Sequence, residues 1–319
     1  MNDALLDVIV QTREVQGADV AVLELAALDG QALPRFAAGA HVDVHLAPGV
    51  VRQYSLCGDP AQANVYRLGV LREAQSRGGS AAVHAQLQAG SLTRISAPRN
   101  LFPLVADAQR SILLGGGIGI TPLIAMAHTL HARGEAFELH YRARSRSRCA
   151  FVDELLAAPF AASVFTHFSD EDNAQRLDLA QVLGDPAPGT HLYTCGPAGF
   201  MDWVIAGARA QGFSAEQIHH EYFQVEVDSA GAGFEVQAVR SGKTLQVAPE
   251  QSLLAALREA GIAVEVSCEQ GVCGTCLCDV LEGEPDHRDH YLTDEEKQSN
   301  EQIVVCCSRA RSARLVLDI

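Results

Sequence analysis

Through the first hundred residues, apolar positions alternate with polar ones or gather in short runs at 8–12, 20–25, 41–46 and 66–71, with Gly, Pro and Asp clusters between them. Such short segments predict strands, and a succession of them predicts a small antiparallel barrel. Past residue 103 the pattern changes. A buried run at 111–114 leads into Gly115-Gly-Gly-Ile-Gly-Ile-Thr-Pro122 and a helical stretch from Leu123 to about Ala132. Strand patterns at 137–141, 163–167 and 191–195 then alternate with helical ones at 151–158 and 199–211. That alternation predicts a parallel sheet. Residues 224–233 read as a short flexible connection. From Phe234 two strands, a helix at 252–260, a cysteine loop and further strands follow. The expected fold is multidomain: an antiparallel β-barrel over 1–103, an α/β parallel-sheet domain over 104–226, a linker at 227–233 and an α+β domain over 234–319.

Charge narrows the partners. The 319 residues carry a net charge of −15, which argues against a nucleic-acid ligand. Residues 234–319 hold eight Lys and Arg against fifteen Asp and Glu. That acidic balance suits docking to a basic protein surface, or a solvated face with no such role. No apolar run approaches the ~20 residues that cross a bilayer, and no signal-peptide pattern opens the chain. The sequence is expected to be cytoplasmic, with no membrane contact.

Four of the nine cysteines, Cys268, Cys273, Cys276 and Cys306, are spaced C-x4-C-x2-C-x29-C. Thiolates are soft ligands, and this spacing suits a plant-type [2Fe–2S] cluster. Zinc is the alternative, although its sites more usually pair two CxxC knuckles. Cys306 and Cys307 are adjacent and would point to opposite faces of a strand, so that one ligates and the other packs. Cys278 is expected to be buried in a strand. An odd number of cysteines and the absence of a secretory signal argue against a disulfide framework.

Two further groups carry chemistry. Arg52-Gln-Tyr54-Ser55-Leu56 ends an apolar strand: the Arg can clamp a phosphate and the Tyr can lie along a planar ring. Arg77-Gly78-Gly79-Ser80 precedes a helical stretch at 81–87 and reads as an anion site with a Ser cap. Together they suggest a phosphate-bearing flavin; separately, each also fits a solvated strand end or turn. The Gly115–Gly119 loop between strand and helix, with Thr121 as N-cap and Pro122 as first helical residue, suits a pyrophosphate, although Ile120 replaces the last glycine of the dinucleotide fingerprint. Cys195-Gly196-Pro197 ends a later strand, where ligands bind in open α/β folds; Cys195 also fits a buried thiol. Arg142, Arg144, Arg146 and Arg148 follow the second strand, where an Arg can meet a 2′-phosphate.

In this order, Arg52-x-Tyr54-Ser55-Leu56, Arg77-Gly-Gly-Ser80, the Gly115–Pro122 loop, Cys195-Gly-Pro197 and the terminal cysteines resemble the phthalate dioxygenase reductase family over essentially the whole chain. Glu221-Tyr-Phe223, Asp286-His-Arg-Asp-His290 and Cys306-Cys-Ser-Arg-Ala310 extend the match. The resemblance implies an oxidoreductase, the reductase component of a Rieske oxygenase system, that passes electrons from NAD(P)H through FMN to a [2Fe–2S] ferredoxin domain and on to the oxygenase. A cytochrome P450 is the alternative acceptor. It further implies that Arg52, Tyr54, Ser55, Leu56, Arg77, Gly78, Gly79 and Ser80 hold FMN. Gly116, Gly117, Gly119, Thr121 and Pro122 would line the pyrophosphate, with Cys195, Gly196 and Pro197 near the nicotinamide. Phe223 and Glu221 would lie by the flavin, and Cys268, Cys273, Cys276 and Cys306 would ligate the cluster. NADH is the expected nucleotide, with NADPH supported by Arg142 and Arg144. A monomer is expected.

Overall fold

The computed structural model describes residues 5–46, 49–62, 64–73, 78–170, 176–223 and 227–319. The chain divides into two compact units, Met1–Phe223 and Gln224–Ile319.

The first unit opens with β1 (Leu6–Gln16), β2 (Val20–Ala27), β3 (Ala40–Leu46), β4 (Val50–Ser55), β5 (Tyr66–Leu71), α1 (Gly79–Gln86), β6 (Leu92–Ile95) and β7 (Arg99–Asn100). The strands pair antiparallel in the order β4-β3-β6-β1-β2-β5, with β7 on β3. An isolated bridge between Leu56 and Leu68 joins the end of β4 to β5, so the sheet curls into a barrel. Alternation explains the core. Val8, Val10, Val42, Val44, Leu23 and Leu25 are buried while their strand neighbours at Asp7, Thr12 and Glu24 are not.

A second sheet follows: β8 (Arg110–Gly116), α2 (Ile120–Arg133), β9 (Phe137–Ala143), α3 (Val152–Ala157), β10 (Val164–Phe168), α4 (Leu179–Leu183), β11 (Thr190–Cys195), α5 (Ala198–Ala210) and β12 (Ile218–Glu221). Its strands are parallel in the order β10-β9-β8-β11-β12. The order reverses between β8 and β11, which places the open crevice of such sheets at the C-terminal ends of these two strands. Helix α2 starts at Ile120, with Gly119 as its N-cap, rather than at Thr121 and Pro122 as the sequence suggests. The cause is a 3-10 turn at Gly117–Gly119 that runs straight into the helix. Thr121 donates its hydroxyl to Ile118 O, and Pro122 sits in the first turn, where a missing N–H costs nothing. Strand β12 was not anticipated: four residues with two histidines give little apolar signal.

The second unit contains β13 (Phe234–Ala238), β14 (Lys243–Val247), α6 (Leu253–Glu259), β15 (Leu277–Glu282), β16 (Pro285–Asp286), α7 (Asp294–Ser299), β17 (Gln302–Val304), β18 (Arg309–Ala310) and β19 (Arg314–Leu317). The main sheet runs β14-β13-β19-β15-β17, and β16 pairs with β18. Helix α6 buries Leu253, Leu254, Ala256 and Leu257 and is capped by Ser252, whose hydroxyl accepts from Ala255 N–H.

The segment before β13 is not the flexible connection expected. Residues 224–226 lie outside the described residues, but from Asp228 the backbone is tied down. Arg288 donates to the carbonyls of Asp228 and Ala230, and Arg309 to those of Ser229 and Ala232. Arg309 is 1% exposed and also donates to Gln251 O and Ala248 O. A guanidinium offers five donors in a rigid fork, which suits binding several carbonyls at once.

Candidate redox sites

In the barrel, β4 and α1 bring together two of the groups singled out by sequence. The Arg52 side chain lies against the start of α1, where a Cβ on Gly79 would come 2.4 Å from its Cγ and 2.7 Å from its Nε. Gly79 therefore must lack a side chain for the guanidinium to reach the helix N-terminus. Gly78, at φ 90°, is the N-cap, and a Cβ there would meet open space. A cation beside the positive end of a helix, with open space next to it, fits a phosphate group. Ser80 does not cap the helix as expected; its hydroxyl accepts from Glu73 N–H at 3.1 Å. Leu56 is fully buried in the core, so only its backbone can face a ligand. Arg77 lies outside the described residues. Burial pushes the Tyr54 phenol up, and it stays protonated.

Ser55, His41 and Glu221 form a buried polar cluster at the barrel's edge. His41 and Ser55 are register partners on β3 and β4. Ser55 donates to Glu221 Oε2 at 3.4 Å, and His41 Nδ1 lies 3.9 Å from Glu221 Oε1. Burial pushes Glu221 up to about 8 and His41 down to about 4. At neutral pH both groups are thus uncharged, the carboxyl protonated and the imidazole neutral. Both ring nitrogens of His41 lack a hydrogen-bond partner among the described residues. Orphaned buried polar atoms call for a ligand or water. His41 escaped the sequence reading because it sits in an ordinary strand pattern. Phe223, two residues beyond Glu221, is half-buried against the same core.

At the crevice, Glu221 pairs in register with Cys195, and Cys195 with Gly115. A Cβ on Gly119 would come 2.3 Å from Cys195 O and 2.5 Å from Gly196 N, while Gly117, at φ 54°, borders open space. The glycine loop thus packs down on the Cys195–Gly196 turn and leaves backbone open at Gly117. That arrangement fits a pyrophosphate against the start of α2. Cys195 is fully buried, and burial pushes its thiol well up. It is a neutral thiol at physiological pH, suited to packing rather than nucleophilic chemistry. Of the four arginines singled out by sequence, Arg142 lies inside the C-terminal end of β9, not after it, with its guanidinium over the Phe200 ring at 5.8 Å, whereas Arg146 is paired with Asp153 at 2.7 Å. Arg144 is exposed.

In the second unit the four cysteines form two contacting pairs, Cys268 with Cys273 and Cys276 with Cys306. All four are buried. Two thiolates per iron is the donor set of a [2Fe–2S] cluster, whereas zinc wants all four around one centre. Among the described residues no group of three or more His, Cys, Asp or Glu converges on a single-ion position. The donors therefore fit the binuclear cluster. Backbone N–H groups already aim at the sulfurs: Gln270 donates to Cys268 Sγ at 3.3 Å and Gly271 to Cys306 Sγ at 3.2 Å. Contact with Cys268 holds the Cys273 thiol below its ordinary value. Cys306 and Cys307 follow the end of β17 instead of lying within a strand, so both are buried on the loop side. A Cβ on Gly271 would come 2.5 Å from Cys307 Sγ. Cys278 is buried on β15, as expected.

The comparisons agree with this geometry. A 2Fe-2S iron-sulfur cluster binding domain family matches residues 236–311. The vanillate O-demethylase oxidoreductase of Pseudomonas sp. (strain HR199 / DSM 7063) is 49% identical over 317 residues, covering 99% of this chain and 100% of that protein. The carnitine monooxygenase reductase subunit of Escherichia coli (strain K12) is 41% identical over 92% of each chain. Among solved structures, phthalate dioxygenase reductase matches with a TM-score of 0.77 at 37% identity, covering 99% of this chain and 98% of that one. An intact type IV self-sufficient cytochrome P450 monooxygenase matches with a TM-score of 0.86 at 38% identity, over 99% of this chain and 41% of that longer one.

Proposed function

The chain belongs to the phthalate dioxygenase reductase family, and on that premise we propose that it draws electrons from NAD(P)H and delivers them singly to a Rieske oxygenase component. The arrangement of four buried cysteines as two contacting pairs carries this reading, because an electron carrier joined to a nucleotide-binding fold requires a source and an acceptor. When bound, a flavin and a [2Fe–2S] cluster supply the conversion of a two-electron donor into one-electron transfers.

The chain's own residues bind and orient. In the proposal Arg52 and the α1 N-terminus hold the FMN phosphate, with Tyr54 and the Leu56 backbone beside the ring. Gly116, Gly117 and Gly119 leave backbone N–H groups for the nucleotide pyrophosphate. Glu221, protonated at neutral pH and hydrogen-bonded by Ser55, keeps a proton beside the crevice. Cys195, Gly196 and Pro197 shape the floor for the nicotinamide, and Phe223 covers the flavin side. Cys268 and Cys273 take one iron, Cys276 and Cys306 the other. In the proposal the flavin barrel takes residues 1–103, the nucleotide-binding domain 104–226 and the ferredoxin domain 234–319, with a linker at 227–233. The protein works as a cytoplasmic monomer, a compartment that keeps cluster thiolates from pairing as disulfides.

Anaerobic spectra of the purified protein test this directly. Flavin bands over broad iron–sulfur absorption, bleached by NADH or NADPH, are expected, and acid extraction should release FMN. A colourless protein with stoichiometric zinc would overturn the reading. The structural match to a self-sufficient P450 supports a second acceptor. Reduction of a P450, with no reduction of Rieske proteins, would favour it.

A further inference from the structure

Asp286-His-Arg-Asp-His290, a motif that the proposed electron path leaves unassigned, leads into a segment that crosses the cysteine loop. His290 N–H donates to Gly271 O at 2.9 Å. A Cβ on Gly271, at φ 74°, would come 3.2 Å from Asp289 Cα and 3.3 Å from Asp289 Cβ. Further along the loop, a Cβ on Gly274, at φ 69°, would come 2.2 Å from the Tyr291 ring. The glycines on either side of Cys273 are therefore the points where residues 289–291 lie against the loop.

Asp289 puts a carboxylate there, with a side chain 0% exposed. Its Oδ2 accepts from Leu292 N–H at 2.7 Å and from Tyr291 N–H at 3.1 Å, and its Oδ1 from the Ser308 hydroxyl at 3.5 Å. The same neighbours lead to the thiols. Gly271 N–H donates to Cys306 Sγ at 3.2 Å, and Ser308 lies two residues past Cys306. Two basic groups face the carboxylate. Lys297 on α7 donates to Asp289 O at 2.7 Å and brings its ammonium to 4.0 Å from Oδ2. His287 Nδ1 lies 3.7 Å from Oδ1. Charge buried away from water acts on its surroundings with little screening. A negative charge held beside the cysteines opposes the arrival of an electron, whereas N–H groups aimed at sulfur favour it.

Resting on the reading of the four cysteines as ligands of a [2Fe–2S] cluster, we infer that the Asp289 carboxylate lowers the reduction potential of that cluster and that Lys297 offsets part of the effect. Asp289 is a positioning residue: it acts through its charge and through Gly271, without ligating iron. Its charge makes delivery to the acceptor more downhill and uptake from the flavin less so.

The test is a potentiometric titration of the purified holoprotein, reading the cluster by electron paramagnetic resonance and the flavin by absorbance. Asp289→Asn should raise the cluster potential, so that the ratio of reduced to oxidised cluster at a fixed poise grows about tenfold, or ~59 mV. The flavin potential should not move. Lys297→Gln, which keeps a donor for Asp289 O, should shift the cluster potential the opposite way. A loosened loop would move both variants alike, so opposite signs separate charge from structure. An unshifted potential in Asp289→Asn with a normal cluster signal overturns the inference and leaves the cluster reading standing. So do shifts of the same sign in the two variants. Should Asp289→Asn lose its cluster, Lys297→Gln decides alone: a lowered potential supports the inference and any other result overturns it. Absence of a cluster signal in the unaltered protein overturns both.

Discussion

His41 Nδ1 faces Glu221 Oε1 at 3.9 Å, the imidazole 1% and the carboxyl 14% exposed, and the Ser55 hydroxyl donates to the second carboxyl oxygen. Two titratable groups buried together titrate as a pair, and burial drives them in opposite directions, the acid up to about 8 and the base down to about 4.

That relationship predicts a pH dependence of stability. Between the ordinary carboxylate range and about 8, the folded chain keeps a proton on Glu221 that the unfolded chain releases, so stability falls as pH rises. His41 acts the other way between about 4 and 6.5, where the unfolded imidazole binds a proton that the folded one refuses. The two effects largely oppose each other below 6.5. From 6.5 to 8 the Glu221 contribution stands alone, at about 1.4 kcal/mol per pH unit. Urea midpoints at pH 6.5, 7.2 and 8.0 should decline in the unaltered protein and stay level in Glu221→Gln. Parallel declines in both proteins would refute the assignment.

The two adjacent cysteines should separate cleanly. Cys306→Ser removes one member of the Cys276–Cys306 pair, and NAD(P)H should still bleach the flavin while transfer to the oxygenase fails. Cys307→Ser leaves both thiol pairs intact and should keep the iron–sulfur spectrum. Iron content with electron paramagnetic resonance distinguishes them, and a normal cluster signal in Cys306→Ser would refute the pairing.

Gly119→Ala forces a methyl group to within 2.3 Å of Cys195 O, a backbone atom that cannot swing away. The loop or the Cys195–Gly196 turn must shift, which moves the proposed nucleotide site and leaves the flavin residues on β4 and α1 in place. The variant should retain its flavin but lose 10-fold or more in kcat/KM for the nucleotide, on the order of 1.4 kcal/mol or more. Unchanged kcat/KM with normal flavin content would show that the loop does not line the site.

Much of this was legible in the sequence because period and punctuation carried it. Alternation at 8–12 and 41–46 gave the barrel strands, the strand–glycine–helix order at 111–132 gave the parallel sheet, and the cysteine spacing gave the cluster loop. What stayed hidden depends on contacts between distant segments. His41 looks like any strand residue until Glu221 arrives from β12. Ser80 looks like a helix cap until Glu73 N–H claims its hydroxyl. The stretch from Asp228 is rich in small residues and reads as flexible, since nothing local shows that arginines 60 and 80 residues away hold its carbonyls.

Those arginines make the last prediction. Arg309 is buried and donates to four carbonyls, Ser229, Ala232, Ala248 and Gln251, while its guanidinium lies 5.3 Å from the Phe234 ring. Arg309→Ala leaves those oxygens to find water or stay unpaired, and each buried unpaired group costs about 1–3 kcal/mol. A loss of about 2–4 kcal/mol is expected for the second unit, because some of the carbonyls can reach solvent. Arg309→Lys keeps the charge but replaces the planar fork with a point donor, so it should recover only part. Limited proteolysis supplies the local readout: cleavage at 228–232 should accelerate markedly in Arg309→Ala and modestly in Arg309→Lys. Unchanged cleavage in Arg309→Ala would mean that Arg288, which donates to Asp228 and Ala230, holds the segment by itself.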